Sequence, residues 1–219
     1  MSVAALVPVK ALDAGKSRLV ASLSRAQIER LTLAMLEDVI GCLSQVGPID
    51  HVAIVTPDSR VGERATELGA LALVRNDPGL NPSLDAASGE LARTGADTLL
   101  VLLGDVAAVL PEDVEALFVA LRGLGGEGVV LAPSRDGGTS ALLRAPWNAI
   151  PNRFGKNSAA AHRETALDAG LPYSELPSDS LAIDLDRVED AQTLARAPAS
   201  AGGACTRALL HEFGFGEPM

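Results

Sequence analysis

Three observations predict a single α/β domain with a mostly parallel, twisted sheet and helices on both faces, a Rossmann-like arrangement. First, short runs rich in Val, Leu and Ala recur along the chain without polar alternation, which is typical of strands buried on both faces of a sheet. Second, segments with apolar residues at helical spacing alternate with these runs. Third, 47% of the 219 residues are hydrophobic and 21% are charged, so the chain can build a packed core. Repeated strand–helix units with right-handed crossovers produce such a sheet.

Predicted strands and helices alternate most regularly in the first half of the chain. Ser24 is a candidate N-cap before a long run of apolar residues at helical spacing, and TLLVLL at 98–103 is the most apolar run of all. The predicted elements are a strand at 2–9, a helix from Ser24 to 43, a strand at 51–55, a helix at 61–68, a strand at 70–74, a helix from the cap Ser83 to about 93, and a central strand at 98–103.

The second half is less regular. Pro111 opens a helix because proline is favoured in the first turn, and the glycines at 137 and 138 predict a tight turn before an antiparallel strand. The predicted elements are a helix from 111 to about 123, a strand at 129–132, an antiparallel strand at 139–143, a helix from the cap Ser158 to about 170, short strands at 172–176 and 182–185, and a helix at 188–196. We therefore expect one domain over residues 1–196, followed at 197–219 by a small-residue linker and a C-terminal helix or tail.

Charge and hydropathy exclude several classes of partner. The chain has 18 Lys+Arg and 28 Asp+Glu, a net charge of −10, and no basic run, so nucleic acid and anionic membrane surfaces are excluded as partners. Lys10 and Asp13 interrupt the apolar N-terminus before it reaches the length of a signal peptide. No apolar stretch is long enough to span a bilayer. We expect a cytoplasmic protein in which Cys42 and Cys205 are buried apolar residues, since their spacing suits neither a metal site nor a disulfide framework.

Three cations lie on the loop that follows the first strand. Residues 15–17 read GKS, but a phosphate loop of the Walker type needs glycine at the position of Lys10. What remains is Lys10, Lys16 and Arg18, which can hold a triphosphate in an otherwise acidic protein. The alternative is a solvated loop whose cations pair with the surplus carboxylates.

Carboxylates predict a metal site. Asp105 follows the central strand directly, and in parallel sheets ligands bind beyond the carboxyl ends of the strands. Asp184 and Asp186 point the same way if their segment is extended. Mg²⁺ prefers a few carboxylates together with phosphate oxygens and water. The alternative is that Asp186 only caps the helix that begins near Arg187.

Residues 133–140 and 153–158 combine glycines, hydroxyls and cations. The helix that Ser158 opens presents free N–H groups to an anion, and Gly155 lets the backbone approach one closely. The alternative is an ordinary hairpin and a capped helix. His51, His162 and His211 show no spacing typical of a metal site or a catalytic base, so nothing indicates covalent catalysis.

Six sequence blocks, in order, resemble the guanylyltransferases of coenzyme F-420 biosynthesis, the CofC/FbiD group. The blocks are VPVKALDAGKSRL (7–19), NDPGLNPSLDAA (76–87), VLLGDV (101–106), PSRDGGTSALL (133–143), RFGKNS (153–158) and DLDRVEDA (184–191). The resemblance implies a nucleotidyltransferase fold similar to that of the molybdenum-cofactor guanylyltransferases.

The resemblance also assigns roles to residues. Asp105, Asp184 and Asp186 match the metal-binding aspartates of the family, and Thr139, Gly155 and Ser158 match its phosphoacid-binding positions. The loop cations Lys10, Lys16 and Arg18 would hold the triphosphate, with Lys16, Arg18 and Asp105 acting in catalysis, and Asn81 would read the base. Ala107 stands where the family usually has proline, which raises the question of how this loop is kept rigid.

The implied reaction joins the GMP part of GTP to a phosphorylated three-carbon acid, with Mg²⁺ and release of pyrophosphate. Phosphoenolpyruvate is the favoured acceptor, and 2-phospho-L-lactate and 3-phosphoglycerate are alternatives. Because the product is labile, the resemblance implies that it is handed over directly to the next transferase of the pathway. The enzyme is expected to be a monomer or a homodimer. The competing interpretations are a nucleotidyltransferase of the molybdenum-cofactor or sugar-phosphate type and a non-catalytic nucleotide-binding module.

Overall fold

The computed structural model describes residues 2–14 and 17–216, and its strands form one seven-stranded sheet. The strands are β1 (Ser2–Pro8), β2 (His51–Thr56), β3 (Leu71–Val74), β4 (Ala96–Leu102), β5 (Gly128–Pro133), β6 (Thr139–Ala145) and β7 (Tyr173–Glu175). The helices are α1 (Arg25–Leu43), α2 (Ser59–Glu67), α3 (Leu80–Arg93), α4 (Pro111–Gly123), α5 (Ser158–Asp168), α6 (Val188–Ala195) and α7 (Ala204–Glu212).

The sheet is mostly parallel, in the order β3-β2-β1-β4-β6-β5-β7. Parallel ladders join β1 to β2 and β4, β2 to β3, and β5 to β7. Strand β6 runs antiparallel to both β4 and β5, with Val101 opposite Leu142. The predicted fold class and the predicted antiparallel strand are both confirmed.

Helices cover both faces of the sheet, because successive strand residues point to opposite sides. In β4, Leu100 and Leu102 pack on one face in a cluster that includes residues of α1, α2 and α4. Leu99 and Val101 pack on the other face with residues of α3 and α5. All four leucine and valine side chains are fully buried, which explains why this run shows no polar alternation.

The order of the strands reverses beside β1. The chain adds β2 and β3 on one side of β1 and then returns to place β4 on the other side. The loops that follow β1 and β4 lie next to each other at this point and border a crevice at the carboxyl edge of the sheet, where open α/β sheets bind their ligands.

One predicted helix start and one predicted helix cap are wrong. Helix α3 begins at Leu80 rather than after Ser83, because Gly79 (φ 109°) supplies the sharp entry and its N–H donates to Asp77 Oδ1. Pro82 is tolerated in that first turn, where its missing N–H has no helical partner to lose. Helix α5 is preceded by Asn157 in the left-handed region, and Ser158 is its first residue rather than its cap.

The predicted strand at 182–185 is not part of the sheet. Its backbone bonds to loops instead: the Ala182 N–H donates to the Ser178 carbonyl, and the Leu185 N–H donates to the Asp105 carbonyl. Leu185 of this segment and Leu181 just before it are buried, and this burial produces the strand-like pattern.

The C-terminal segment packs against the domain. Leu210 of α7 shares a buried cluster with Leu31 of α1 and Leu194 of α6. The Asp38 carboxylate accepts the N–H groups of Cys205 and Thr206 at 2.9 and 2.7 Å, which satisfies the start of α7. Across the described residues, no helix combines the length and the apolar character that crossing a bilayer requires.

Candidate active site

A cavity of about 450 Å³ lies at the reversal of strand order, and we call it the crevice. Loops that follow β1, β2, β3 and β4 all contribute to its walls, together with the segment that precedes α6. Among its lining residues are Lys10, Thr56, Asp77, Leu80, Asp105 and Asp186. Of the predicted site residues, the crevice thus gathers one cation and two carboxylates.

Gly104 allows the β1 and β4 loops to approach each other. A Cβ at Gly104 would lie 2.9 Å from the Pro8 carbonyl oxygen and 3.1 Å from Val9 Cγ2, closer than side chains pack. Any other residue would push the Asp105 loop away from the Lys10 loop. This contact fixes the width of the crevice at its floor.

The structure brings Asp105 beside the segment that carries the other two predicted carboxylates. The Leu185 N–H donates to the Asp105 carbonyl at 3.0 Å, so Asp186 follows directly into the crevice while Asp184 is not among its lining residues. Asp186 does not cap α6, because Arg187 is the N-cap residue and Asp190 accepts the N–H groups of Asp186 and Arg187. The helix-cap alternative is therefore wrong.

The predicted carboxylates are the ligand type that a hard cation prefers, but the three of them do not form one cluster. Over residues 2–14 and 17–216, no group of three His, Cys, Asp or Glu residues is arranged to hold a metal ion. Asp105 and Asp186 in one crevice supply the oxygen ligands that Mg²⁺ takes when a bound polyphosphate provides the others. The donor set fits an ion that arrives with a nucleotide.

The loop cations have different surroundings. Arg18, on the 3-10 turn Ser17–Leu19, bonds Asp186 at 2.5 Å, and the fully buried Leu19 anchors that turn. The pKa of Asp136 is lowered mainly by hydrogen bonds from Ser134 and Gly138, and the charge of Arg18 adds a smaller lowering effect. Lys10 is exposed and lines the crevice. Lys16, the third predicted cation, lies outside the described residues.

The three predicted phosphoacid residues converge, although 16 to 19 positions separate Thr139 from the other two. The Ser158 hydroxyl donates to Thr139 Oγ1 at 3.0 Å, and the Ser158 N–H donates to the Gly155 carbonyl at 3.2 Å. Thr139 and Ser158 are 2% and 1% exposed, and we call them the hydroxyl pair. Gly155 has φ 143° and open space above its Cα, so the backbone there is accessible to an anion.

His162 contacts the hydroxyl pair, which the sequence did not reveal. It is fully buried, its Nδ1 lies 3.0 Å from Thr139 Oγ1, and its Nε2 accepts the Arg153 N–H at 2.9 Å. Burial first, and then the charges of Arg144 and Arg153, lower its pKa to about 4, so the ring is neutral at neutral pH. The available signal was the spacing of His162 four residues after Ser158, one turn along the same helix face.

Asn81, the residue predicted to read the base, is not among the lining residues of the crevice. Its amide nitrogen donates to the Phe154 carbonyl at 3.0 Å, and its amide oxygen accepts the Phe154 N–H at 2.8 Å. Both ends of the side chain are occupied by one backbone unit. Asn81 therefore ties the start of α3 to residues 153–158, the loop that leads to the hydroxyl pair.

The linker packs closely on the loop that contains Ala107. Residues 106–109 are all buried, and a Cβ at Gly202 would lie 2.4 Å from the Ala108 carbonyl oxygen. The backbone of the linker thus lies directly on this loop, which follows Asp105, and supports it where the family usually has proline.

Both cysteines are free thiols, and neither is among the lining residues of the crevice. Cys42 is buried as predicted, and burial raises the pKa of its thiol to about 12. Cys205 is only partly buried, which corrects the prediction of full burial, because it lies at the first turn of α7 beside Asp38.

Comparison with known proteins places this site in a family. The family model described as "Guanylyl transferase CofC like" matches residues 3–215. The phosphoenolpyruvate guanylyltransferase of Sphaerobacter thermophilus is 39% identical over 89% of this chain and 93% of its own length. The 3-phospho-D-glycerate guanylyltransferase of Phenylobacterium zucineum is 36% identical over 89% of this chain and 90% of its own length.

The fold has relatives beyond that family. A protein of Desulfovibrio desulfuricans G20, assigned to the nucleotide-diphospho-sugar transferases, superposes with a TM-score of 0.78 at 20% identity, over 97% of this chain and 95% of that one. The two proteins therefore share a fold. With a family model that matches nearly the whole chain, this protein belongs to the CofC family of guanylyl transferases.

Proposed function

We propose that this enzyme transfers GMP from GTP to the phosphate of phosphoenolpyruvate, giving enolpyruvoyl-2-diphospho-5'-guanosine and pyrophosphate, in coenzyme F-420 biosynthesis. The observation that carries the proposal is that Asp105, Asp186 and Lys10 line one crevice at the reversal of strand order. The named guanylyltransferase relatives support the reaction class.

We assign the crevice to GTP. Lys10, Arg18 and Lys16 would neutralise its triphosphate, which is needed because the protein as a whole is acidic. Asp105 and Asp186 would hold Mg²⁺, with Asp184 supporting them from the same segment. When bound, the ion supplies electrostatic stabilisation of the charge that builds on the phosphates. Arg18 must then exchange its ion pair with Asp186 for phosphate oxygens.

We assign the phosphoacid to the hydroxyl pair and the open backbone at Gly155. These groups offer neutral hydrogen-bond donors, and the N-terminus of α5 adds its partial positive charge. Arg18, which acts electrostatically on Asp136 in the turn before Thr139, links this site to the crevice. Two anions would thus be held side by side by one cation.

The chemical step then needs little covalent help. A phosphate oxygen of the acid attacks the α-phosphorus of GTP in line; a new P–O bond forms, the α–β bridging bond breaks, and pyrophosphate leaves. The attacking phosphate is already ionised, so no general base is required. The residues of the chain align two polyanions and neutralise charge, which accounts for the absence of a histidine or cysteine nucleophile in the described crevice.

The choice of phosphoenolpyruvate follows the name of the most similar relatives. 3-Phosphoglycerate is the second candidate, because a relative named for it is 36% identical, close to the 39% of the first. The acids, with 2-phospho-L-lactate as the third, share a carboxylate and a phosphate and differ in small groups worth about 1–3 kcal/mol. The product is a labile anhydride, and we propose direct hand-over to the next transferase.

Pyrophosphate release tests the proposal. The enzyme is incubated with GTP, Mg²⁺ and each of the three acids in parallel, with the next transferase present to consume the labile product. We expect turnover with phosphoenolpyruvate and at least tenfold lower kcat/KM with the other two acids. Turnover with a different acid would change the acceptor and keep the reaction class.

Two controls sharpen the result. CTP and ATP in place of GTP test the base, and the Asp97→Asn variant removes an exposed carboxylate at the opposite end of β4 from Asp105. No turnover with any acid, from protein that binds GTP, would overturn the proposed function. That outcome would favour the molybdenum-cofactor type of substrate or a binding module.

A further inference from the structure

His162 has a hydrogen-bond arrangement that goes beyond packing. Its ring lies between the hydroxyl pair and the backbone of residues 153–158, at 3.0 Å from Thr139 Oγ1 and 2.9 Å from the Arg153 nitrogen. Phe154 meets the ring edge-on, with centroids 5.2 Å apart. The imidazole is thus fixed in orientation by three neighbours, and each nitrogen has one partner.

The position of the ring proton follows from these partners. A backbone N–H is only a donor, so the Nε2 atom that accepts it from Arg153 must carry a lone pair. The buried ring is neutral, since burial and the charges of Arg144 and Arg153 lower its pKa to about 4. The single ring proton is therefore on Nδ1, and Nδ1–H donates to Thr139 Oγ1.

This assignment decides what the hydroxyl pair can do. Thr139 Oγ1 receives one hydrogen bond from His162 and one from Ser158, so both of its acceptor sites are in use. The Thr139 hydroxyl cannot donate its own proton to His162 Nδ1, because that nitrogen already carries a proton. It cannot donate it to Ser158 either, because Ser158 is the donor in their bond. If the Thr139–Ser158 bond is reversed, the Ser158 proton is left over instead. Either way, one hydroxyl proton has no acceptor among the described residues.

We infer that His162 is a positioning residue that makes the hydroxyl pair present one O–H donor to the phosphoacid. An anion that only accepts hydrogen bonds, such as a phosphate or carboxylate, satisfies this donor, whereas a cation or a donating group does not. The inference rests on the proposed function for the identity of the anion. The Arg153 contact adds a second effect, because the same ring holds the backbone of residues 153–158 beside the pair.

The first test measures the proton directly. Nitrogen NMR of the ¹⁵N-histidine-labelled enzyme at pH 7, with assignment by the His162→Asn variant, reports which ring nitrogen is protonated. We expect the Nδ1–H tautomer for His162 with and without phosphoenolpyruvate. An Nε2–H ring or a fully protonated ring would overturn the inference.

The second test separates positioning from folding. In His162→Phe both contacts are lost, and we expect the KM for phosphoenolpyruvate to rise about tenfold to a hundredfold, the effect of a lost hydrogen bond to a charged group, with the KM for GTP within twofold. His162→Asn keeps an amide N–H near the Nδ1 position and should recover most of the loss.

Ala166→Gly is the matched structural control. Ala166 is fully buried on α5, one turn after His162, and is not itself a predicted site residue. Glycine there should lower Tm without changing the KM for the acid. If His162→Phe and Ala166→Gly raise both KM values alike, in proportion to their loss of Tm, His162 is only structural and the inference fails. If the wild-type enzyme turns over none of the acids, the proposed function fails, and the ring tautomer still decides the proton assignment.

Discussion

The crevice and the hydroxyl pair are built in opposite ways. The crevice lies between loops that follow parallel strands, and its charged groups remain in contact with solvent: the side chain of Asp186 is 32% exposed, and that of its ion-pair partner Arg18 is 60% exposed. The hydroxyl pair lies on an antiparallel strand and a helix, and its two residues and His162 are at most 2% exposed. If the two regions bind the ligands that we propose, the first must exchange partners when its ligand arrives, whereas the second is set before its ligand binds.

The difference has an energetic reason. Exposed ion pairs contribute little to stability and can be exchanged for phosphate contacts at small cost. Buried polar groups are costly to leave without a partner, so a buried network holds its geometry firmly. We expect variants in the crevice to affect catalysis more than stability, and variants around the hydroxyl pair to affect both.

The largest effect is expected in the crevice. Asp105→Asn removes the carboxylate nearest the reversal of strand order and should lower kcat for pyrophosphate release by at least about a hundredfold, because charge neutralisation at the phosphates is worth several kcal/mol. Steady-state kinetics beside Asp97→Asn measures it. Wild-type turnover by Asp105→Asn would remove Asp105 from the site.

The next effect is a pH dependence of stability at His162. Its folded pKa of about 4 lies below its ordinary value of 6.5, so between these values the unfolded chain binds a proton that the folded chain does not. Stability is therefore complete above pH 6.5 and is lost as the pH falls toward 4, by about 3 kcal/mol for this residue.

Urea unfolding between pH 4.5 and 7.5 measures this dependence. His162→Asn should flatten the curve in that window, whereas Arg18→Gln should leave its slope unchanged. Asp50, Asp58 and Asp136, whose pKa values are lowered by hydrogen bonds against the opposing effect of burial, lose their contributions mainly below that window. Equal slopes for His162→Asn and the wild type would contradict the lowered pKa.

A smaller effect is expected at Asn81, which joins the two regions. Asn81→Ala leaves the N–H and carbonyl of Phe154 without their partners, and we expect the free energy of unfolding to fall by about 2 kcal/mol. The KM for the acid should rise more than the KM for GTP. Asn148→Ala, at an exposed position, is the control. A rise confined to the KM for GTP would restore the base-reading prediction.

The smallest effect on stability is expected at Arg18. Arg18→Gln removes an exposed ion pair, so the free energy of unfolding should change by less than about 1 kcal/mol. The KM for GTP should nevertheless rise about tenfold, since the cation is assigned to the triphosphate. Denaturant unfolding and kinetics on the same preparation check both parts. A large loss of stability with an unchanged KM would reverse the contrast between the two regions.

Much of the frame could be predicted from the sequence, because local patterns report it. The unalternating run at 98–103 indicated a central strand, and Asp105 at its end indicated the crevice, since strand ends meet at one edge of a parallel sheet. The antiparallel strand after the glycines at 137 and 138 could also be predicted from the sequence. The start of α3 was not, because Ser83 looks like a cap while Gly79 supplies the turn.

The sequence by itself determined the succession of strands and helices along the chain, the acidic net charge and the residue types at the strand ends. Only the tertiary structure decided which of those residues meet. Thr139, Ser158 and His162 form one network because β6 and α5 pack together, and Asn81 bonds Phe154 across 73 positions of the chain. The physical reason is that hydropathy and turn chemistry act over a few residues, whereas the proton on His162 depends on partners that packing alone brings within hydrogen-bond distance.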